Sequence, residues 1–403
     1  MRFGRTLFAM ALLLAVAACG SSGGTATPKS APLEFHDGFA KVDVPLSPRY
    51  TEPAAGGKWV FVYGGWETSG GGRAFADGAI YDVDTQEWAT VPAAPFADPL
   101  WGARSVWTGK EFVVLGQPCP DPQVSEESVD WVVCGDDPME AAAFDPVTAR
   151  WTTVDAPNPF DPDTTDAVID PLPIGAYRGR AVFLIEPSDV ARGTALVVIG
   201  PGAAPEVIPP LPAAQNRCAL GDRLFAIGSG DTGRVPAPAG AIEPTNTWAY
   251  RDGTWVDDGG LGPTTVEAYG HIGGSVTCAA TAIGYVGLAG AGKEGGRGGE
   301  VDWFDPAAGW RRLPDLPPVA GATEVALAQA GADPLVWTGD RITVLRDGAW
   351  SRRSAAGYGQ LFPGAAPAEL GAAGRFLVGK PLVDPVQHQV LVVVDPDALP
   401  PAA

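Results

Sequence analysis

"GAIYDVDTQEW" (78–88) is answered twice further along the chain, by "AAAFDPVTARW" (141–151) and by "EVDWFDPAAGW" (300–310). Each copy is a short apolar run, an aromatic residue, an Asp-led turn and a Trp. Asp at the first position of such a turn accepts backbone N–H bonds from the residues after it, and a Thr hydroxyl adds another. Pro at the second position, as at Pro146, presets φ near −65°. A strand, this turn and a second strand opening on Trp88, Trp151 or Trp310 make a β-hairpin. Two more copies, "TNTWAYRDGTW" (245–255) and "RITVLRDGAW" (341–350), use Asp-Gly instead. That pair favours the type I′ turn, whose twist matches that of the flanking strands.

The surroundings repeat as well. A strand ending in Gly precedes each hairpin: "KWVFVYGG" (58–65), "KEFVVLG" (110–116), "RLFAIGSG" (223–230) and "GYVGLAGAG" (284–292). A short strand and a Pro cluster follow each Trp, as in "WATVPAAPF" (88–96), "WTTVDAPNP" (151–159) and "WRRLPDLPP" (310–318). The wide gap from Trp151 to Trp255 has room for two units and is filled by "RAVFLIE" (180–186), "RGTALVVIG" (192–200) and "PEVIPPLP" (205–212), with Val207 in place of Trp. Outer strands are expected near 88–92, 151–154, 205–209, 254–258, 310–314 and 349–353. Four short strands in a unit of about 40–60 residues predict a β-propeller.

The Gly64-Gly65 doublet, the Tyr/Phe-Asp-x-x-Thr turn and the Trp after it resemble the kelch repeat, whose blades also build the central domain of galactose oxidase. The resemblance runs over nearly the whole of 33–403, although the doublet fades to Gly116-Gln117 and Gly228-Ser229. It implies an all-β, kelch-like propeller of seven blades, with six as the alternative. In such blades the glycines admit close backbone approach and the tryptophans pack between neighbours. Those roles fall here on Gly64 and Gly65 and on Trp88, Trp151, Trp255, Trp310 and Trp350. "LEFHDGFAKVDVPLSPR" (33–49) begins with a lone strand and ends in a Pro cluster, as an outer strand does. It is expected to complete the C-terminal blade formed by "FLVGKPLVDPVQHQVLVVVDP" (376–396), in which "DPVQH" (384–388) could supply a hairpin turn. Closure of this kind removes exposed sheet edges.

Composition agrees. Of 403 residues 46% are apolar, enough for a large core, and Gly 53 with Pro 40 punctuate short Val/Ile/Leu/aromatic runs. The first 18 residues have the form of a signal peptide: Arg2 and Arg5, an apolar stretch, then small residues. "VAAC" (16–19) resembles the lipobox of bacterial lipoproteins, which implies cleavage before Cys19 and a lipid on its sulfur. Cleavage near Ala18 without lipid, or an uncleaved anchor, are the alternatives. Residues 19–32 then form the lipidated Cys and a flexible tether of roughly 20 Å. The single domain at 33–403 is thereby expected to be held at the cell membrane on its extracytoplasmic face.

Without its leader the chain keeps 25 basic against 47 acidic residues, a formal charge of −22, because Arg2 and Arg5 are lost from 27. Charge of that sign repels nucleic acid and leaves membrane attachment to the acyl chain. Four cysteines remain, Cys119, Cys134, Cys218 and Cys278, an even number that reads as two disulfides in an exported protein. Spacing alone allows three pairings. The alignment of repeats favours Cys119–Cys134 within one loop, and Cys218–Cys278 between first strands of adjacent units.

Chemistry is harder to find. The histidines are His36, His271 and His388; a His36–His388 pair falls short of the three or four ligands a metal site usually has, no C-x-x-C supports zinc, the count is too low for galactose oxidase copper, and no G-x-S-x-G elbow is present. The copper chemistry of galactose oxidase is therefore not carried over, and no cofactor is expected. The Asp-x-x-Thr turns lack the following Gly seen in quinone-dependent propeller dehydrogenases. "RDGTW" (251–255) lacks a spacer of the sialidase Asp box. Asp161, Asp163 and Asp166 in "FDPDTTD" are weak candidates for Ca²⁺, since Asp and Pro are also ordinary turn residues. These observations favour a monomeric, non-catalytic binding or interaction module with an extracytoplasmic protein or glycan as partner. The alternative is a carbohydrate-active enzyme of lyase or glycosidase type, with paired carboxylates at the mouth of the channel.

Overall fold

The computed structural model describes residues 32–67, 73–119, 123–124, 132–133, 138–157, 159, 169–187, 194–209, 216–228, 246–260, 274–279, 281–287, 299–317, 326–338, 341–362, 370–379 and 390–402. Cys19 and its tether, Cys134, and the Asp161, Asp163 and Asp166 group lie outside them. The described chain is all-β, with one short helix, Ala356–Leu361.

Antiparallel four-stranded meanders follow one another. The first comprises Ala54–Gly56, Trp59–Tyr63, Gly78–Asp82 and Glu87–Val91; the second, Leu100–Trp107, Phe112–Pro118, Glu140–Asp145 and Arg150–Val154. The third (Ile169–Tyr177, Arg180–Pro187, Ala195–Ile199, Glu206–Ile208) and fourth (Asn216–Leu220, Arg223–Gly228, Asn246–Arg251, Thr254–Gly260) join in an eight-stranded sheet. A single parallel pair, Gly175 with Ala219, connects them. The fifth (Gly274–Cys278, Ile283–Gly287, Glu300–Asp305, Gly309–Arg312) and sixth (Ala326–Ala330, Asp333–Thr338, Arg341–Arg346, Ala349–Ser354) are again separate sheets. In the last, Leu370–Ala373, Phe376–Gly379 and Val390–Val394 are completed by the N-terminal strand Phe39–Asp43, antiparallel to Val390–Val394 from Phe39↔Val394 to Asp43↔Val390. First strands of consecutive meanders touch, and Leu370–Ala373 also touches Ala54–Gly56 of the first.

The Asp turns are as their letters require. The Asp82 Oδ1 accepts the N–H groups of Asp84 (2.9 Å) and Thr85 (3.4 Å). Asp145 does the same for Val147 and Thr148, and Asp305 for Ala307 and Ala308. Burial opposes ionisation of Asp145, but those N–H bonds outweigh it and hold its carboxyl below the usual carboxylate range. A fourth copy begins at Asp395, whose carboxylate accepts the N–H of Asp397. It follows the last strand of the closing sheet, whereas 384–388 lies outside the described residues. Past this turn the chain makes no outer strand. Its tail runs to the sixth meander, where Ser354 N–H bonds Pro400 O at 2.9 Å. In the Asp-Gly hairpins both central residues have positive φ (Asp252 49°, Gly253 83°; Asp347 52°, Gly348 77°), the type I′ geometry.

Each docking tryptophan packs against the meander before it, and in three cases its indole N–H ends on a proline carbonyl there. Trp151 Nε1 donates to Pro92 O (2.8 Å), Trp255 Nε1 to Pro209 O (2.9 Å) and Trp350 Nε1 to Pro314 O. Proline ends a ladder because it has no N–H, and that leaves its carbonyl free for a neighbour. Pro92 and Pro314 stand four residues after Trp88 and Trp310, so one outer strand carries a donor at its start and an acceptor at its end. By the same spacing the position matching Trp in the third meander is Pro205. Val207, expected to stand in for Trp, instead pairs with Val197 and is 47% exposed. Trp310 Nε1 donates to the buried Thr247 Oγ1 at 2.7 Å. Trp88 is buried among Ala40, Val42 and Val44 of the N-terminal segment and Phe376, Leu391 and Val393 of the closing sheet.

The first strands of the fourth and fifth meanders are bridged by a disulfide, Cys218–Cys278, with Cα atoms 5.4 Å apart. Cys119 is also disulfide-bonded.

Two measurements probe these contacts. Trp151→Phe keeps the ring packing and loses the bond to Pro92, so it is expected to cost about 1 kcal/mol in urea unfolding, and Trp151→Ala about 3 kcal/mol. The Tyr81 hydroxyl is buried with no hydrogen-bond partner among the described residues, and burial, then Asp82, pushes its pKa up to about 12. The unfolded chain ionises Tyr81 from about pH 10. Stability present below pH 10 is therefore lost as the pH rises to 12. Tyr81→Phe is expected to be about 1 kcal/mol more stable at pH 7 and to melt with a shallower loss over pH 10–12, read by calorimetry.

Candidate functional site

In an antiparallel meander the connections alternate between two ends. The first and third connections of every meander run two to six residues between strand ends, as at 57–58, 83–86, 108–111 and 252–253. The second connections are long, 64–77, 119–139, 229–245 and 288–299 among them, the sixth meander's 339–340 excepted. One end is thus all tight turns, and the insertions gather at the other. Rigid scaffolds display their variable loops at such an end.

At that end, Tyr50, Trp66 and Trp101 stack. Ring centroids are 4.7 Å apart from Tyr50 to Trp66 and 5.0 Å from Trp66 to Trp101, the latter pair nearly parallel at 24°. Tyr50 lies in the segment entering the first meander and is 40% exposed; Trp66 belongs to its long connection; Trp101 opens the first strand of the second. Both tryptophans are half-buried. Trp101 also packs on the buried Cys119, from which the excursion toward Glu140 departs, and that excursion contains a small ribbon pairing Gln123–Val124 with Val132–Val133.

The backbone under the stack is pinned on both sides. Tyr50 N–H bonds Trp66 O at 2.7 Å and Trp66 N–H returns to Tyr50 O at 3.1 Å, while Phe75 N–H bonds Gly65 O at 2.9 Å. Glycine at 65 is what permits this approach. Its φ is +95°, and a Cβ there would lie 2.4 Å from Tyr50 O. The glycine doublet of the repeat here lays Trp66 against Tyr50.

Arg49, next to Tyr50, is wholly buried, and its guanidinium ties three segments together. It donates to both Asp77 carboxylate oxygens (2.5 and 3.1 Å), to Gly64 O (3.3 Å) and to Ser47, and lies 3.9 Å over the Phe75 ring. Burial, with the Asp77 charge adding to it, pushes the Tyr63 hydroxyl far above its ordinary pKa and keeps it neutral. A second link lies alongside the stack: Glu52, two residues beyond Tyr50, meets the buried Arg104, three beyond Trp101, at 3.5 Å.

The indole N–H groups separate these tryptophans from four of the five docking tryptophans, the fifth, Trp88, being buried without an acceptor among the described residues. Those of Trp151, Trp255, Trp310 and Trp350 are taken up by the neighbouring meander. Those of Trp66 and Trp101 make no hydrogen bond among the described residues. Sequence reading singled out the five repeating tryptophans and passed over this pair. Their signal was negative: they are tryptophans at positions the repeat does not call for. Among the described residues no group of three His, Cys, Asp or Glu could hold a metal ion.

No family model matches the chain, and no curated protein does. Among solved structures it is similar to YjhT, at 12% identity over 77% of this chain and 99% of that one, with a TM-score of 0.42. It is also similar to the β-propeller domain of the Trilobed protease from Pyrococcus furiosus, described as having an open velcro topology (8% identity, 87% and 94% covered, TM-score 0.41). A third likeness is to a puromycin-hydrolyzing peptidase of Mycobacterium tuberculosis, at 11% identity and a TM-score of 0.47, covering 89% of this chain and 54% of that one. Likeness of this degree says nothing of activity.

Removing Asp77 tests the anchor. Asp77→Ala leaves the Arg49 charge buried with weaker acceptors. Because Asp77 is itself half-exposed, the cost is expected at about 2 kcal/mol, below that of breaking a wholly buried pair. In the folded variant, near-ultraviolet circular dichroism from the Tyr50–Trp66–Trp101 stack is expected to weaken.

Proposed function

We propose that the chain is an extracytoplasmic, lipid-anchored binding module: a seven-bladed, kelch-like propeller closed by its N-terminal strand, with its ligand face at the end where the long connections gather. The blade count rests on the succession of four-stranded meanders. Closure rests on the pairing of Phe39–Asp43 with Val390–Val394. Attachment rests on the lipobox-like "VAAC" (16–19) and the Gly/Ser-rich segment behind it. One observation carries the binding reading. Tyr50, Trp66 and Trp101 are stacked, partly exposed and rigidly backed, at positions where the repeat does not call for aromatic residues.

The alternative, glycoside cleavage, would need a carboxylate pair around the reacting bond. The first strands of the meanders, which would border a central channel, contain Asp170 as their one acidic residue. The tight turns of the opposite end are occupied by scaffold bonds of Asp82, Asp145, Asp305 and Asp395.

Two experiments test the proposal on the full chain in cells. Metabolic labelling with an alkyne fatty acid is expected to mark the wild type, whereas Cys19→Ala loses the label and moves from the membrane to the soluble fraction. Unchanged fractionation would remove the lipid anchor from the reading. A photo-crosslinking residue at Glu67, beside the stack, is expected to form discrete adducts with envelope components. The same residue at Val147, 81% exposed in a tight turn of the opposite end, should form none. Equal adducts from both, or none from Glu67, would overturn the assignment of the binding face.

A further inference from the structure

We infer that the Tyr50–Trp66–Trp101 stack is a subsite for an uncharged, pyranose-containing saccharide; the inference rests on the binding-module reading and names its ligand class. A pyranose has a face of C–H groups and a rim of hydroxyls, so its site must offer an aromatic surface edged with both donors and acceptors. The stack meets each demand. Tyr50, 40% exposed, presents aromatic surface at the end of the stack. The indole N–H groups of Trp66 and Trp101 are donors that the protein does not use among the described residues. The Glu52 carboxylate, 47% exposed and held beside Arg104, is an acceptor at the same rim.

Rigidity points the same way. Flexible loops would lose much of a weak stacking energy to ordering. Here Trp66 is hydrogen-bonded through its backbone to Tyr50, and the segment behind is fixed by the buried Arg49. The choice of an uncharged ligand comes from electrostatics. Around the stack Glu52, Glu67 and Asp77 are balanced by Arg49, Arg73 and Arg104, so no surplus of cationic groups is there to receive an anionic glycan, phosphate headgroup or acidic peptide, and the chain as a whole carries a formal charge of −20.

The test uses the detergent-solubilised full chain and neutral hexasaccharides of the cello-, malto-, xylo- and manno-series, followed by intrinsic tryptophan fluorescence and calorimetry. At least one series is expected to quench emission saturably, with a Kd between about 10 µM and 1 mM. Trp66→Ala is expected to weaken that binding by about tenfold or more. Trp151→Phe, in a docking position, should leave it unchanged, and matched far-ultraviolet spectra would show that each variant is folded. Trp66→Phe, which keeps a ring and loses the donor, should fall between them. Absence of saturable binding by every series up to about 10 mM, or equal affinity in folded Trp66→Ala, would overturn the inference. The two readings fail separately: protein-only adducts from Glu67 with no saccharide binding would sink the saccharide and leave the binding module standing.

Discussion

The packing of a tryptophan ring against the meander before it, fixed at three junctions by an indole N–H to a proline carbonyl there, is the contact on which the rest of this fold depends. The middle strands of these four-stranded sheets are buried on both faces, as in Gly78–Asp82, Phe112–Pro118 and Ala195–Ile199, and a sheet cannot bury either face alone. It must be packed at a set distance and rotation against a neighbour. The ring of Trp151 does this by filling the space against Phe61 and Tyr63, and the N–H to Pro92 fixes its orientation. The same outer strand thus serves two junctions, receiving through its proline and docking through its tryptophan. Where the proline is missing, as four residues beyond Trp255, the junction changes and Trp310 turns to Thr247.

The seam between the two chain ends is built otherwise. The last Asp turn, at Asp395, would lead into an outer strand if the chain continued as elsewhere. Instead Asp395 N–H bonds Gly38 O and the tail runs to Ser354 and Arg352, while Phe39–Asp43 takes the vacant edge. Trp88, facing this seam, is buried without an acceptor for its N–H among the described residues. Its ring packs against Val42, Val44 and Phe376, and a hydrogen bond across this junction comes from the backbone instead, Gly374 N–H bonding Gly57 O.

The candidate site uses repeat chemistry for a different end. Gly64 and Gly65 belong to the strand-ending glycines of the repeat. At this one position they bring a backbone segment onto Tyr50 and seat Trp66 beside Trp101. Arg49 shows how much anchoring that arrangement requires: a wholly buried guanidinium is tolerated because a carboxylate, three backbone carbonyls, a serine hydroxyl and an aromatic face receive it. None of these contacts was legible beforehand. "PRY" (48–50) and "GGW" (64–66) are fourteen or more residues apart, and nothing in either says that they will be neighbours.

By itself the sequence determined what is local. Asp82, Asp145 and Asp305 dictate their turns because the bonds they make reach only two or three residues, and Asp-Gly dictates type I′ hairpins because the backbone demands positive φ. It also determined which residues recur, and hence that the chain is a succession of like sheets, while among three possible cysteine pairings it only favoured the Cys218–Cys278 bridge that the structure forms between first strands. The tertiary structure decided what recurrence cannot reveal: that the proline after one strand accepts from a tryptophan 36 to 59 residues away, and that Pro205 and not Val207 holds the tryptophan's place. It also decided that Trp66 and Trp101, two tryptophans outside the pattern, meet Tyr50 at one end. The reason is range. A turn is specified by neighbours in the chain, whereas docking partners and the Tyr50–Trp66–Trp101 stack become neighbours only after the sheets have packed.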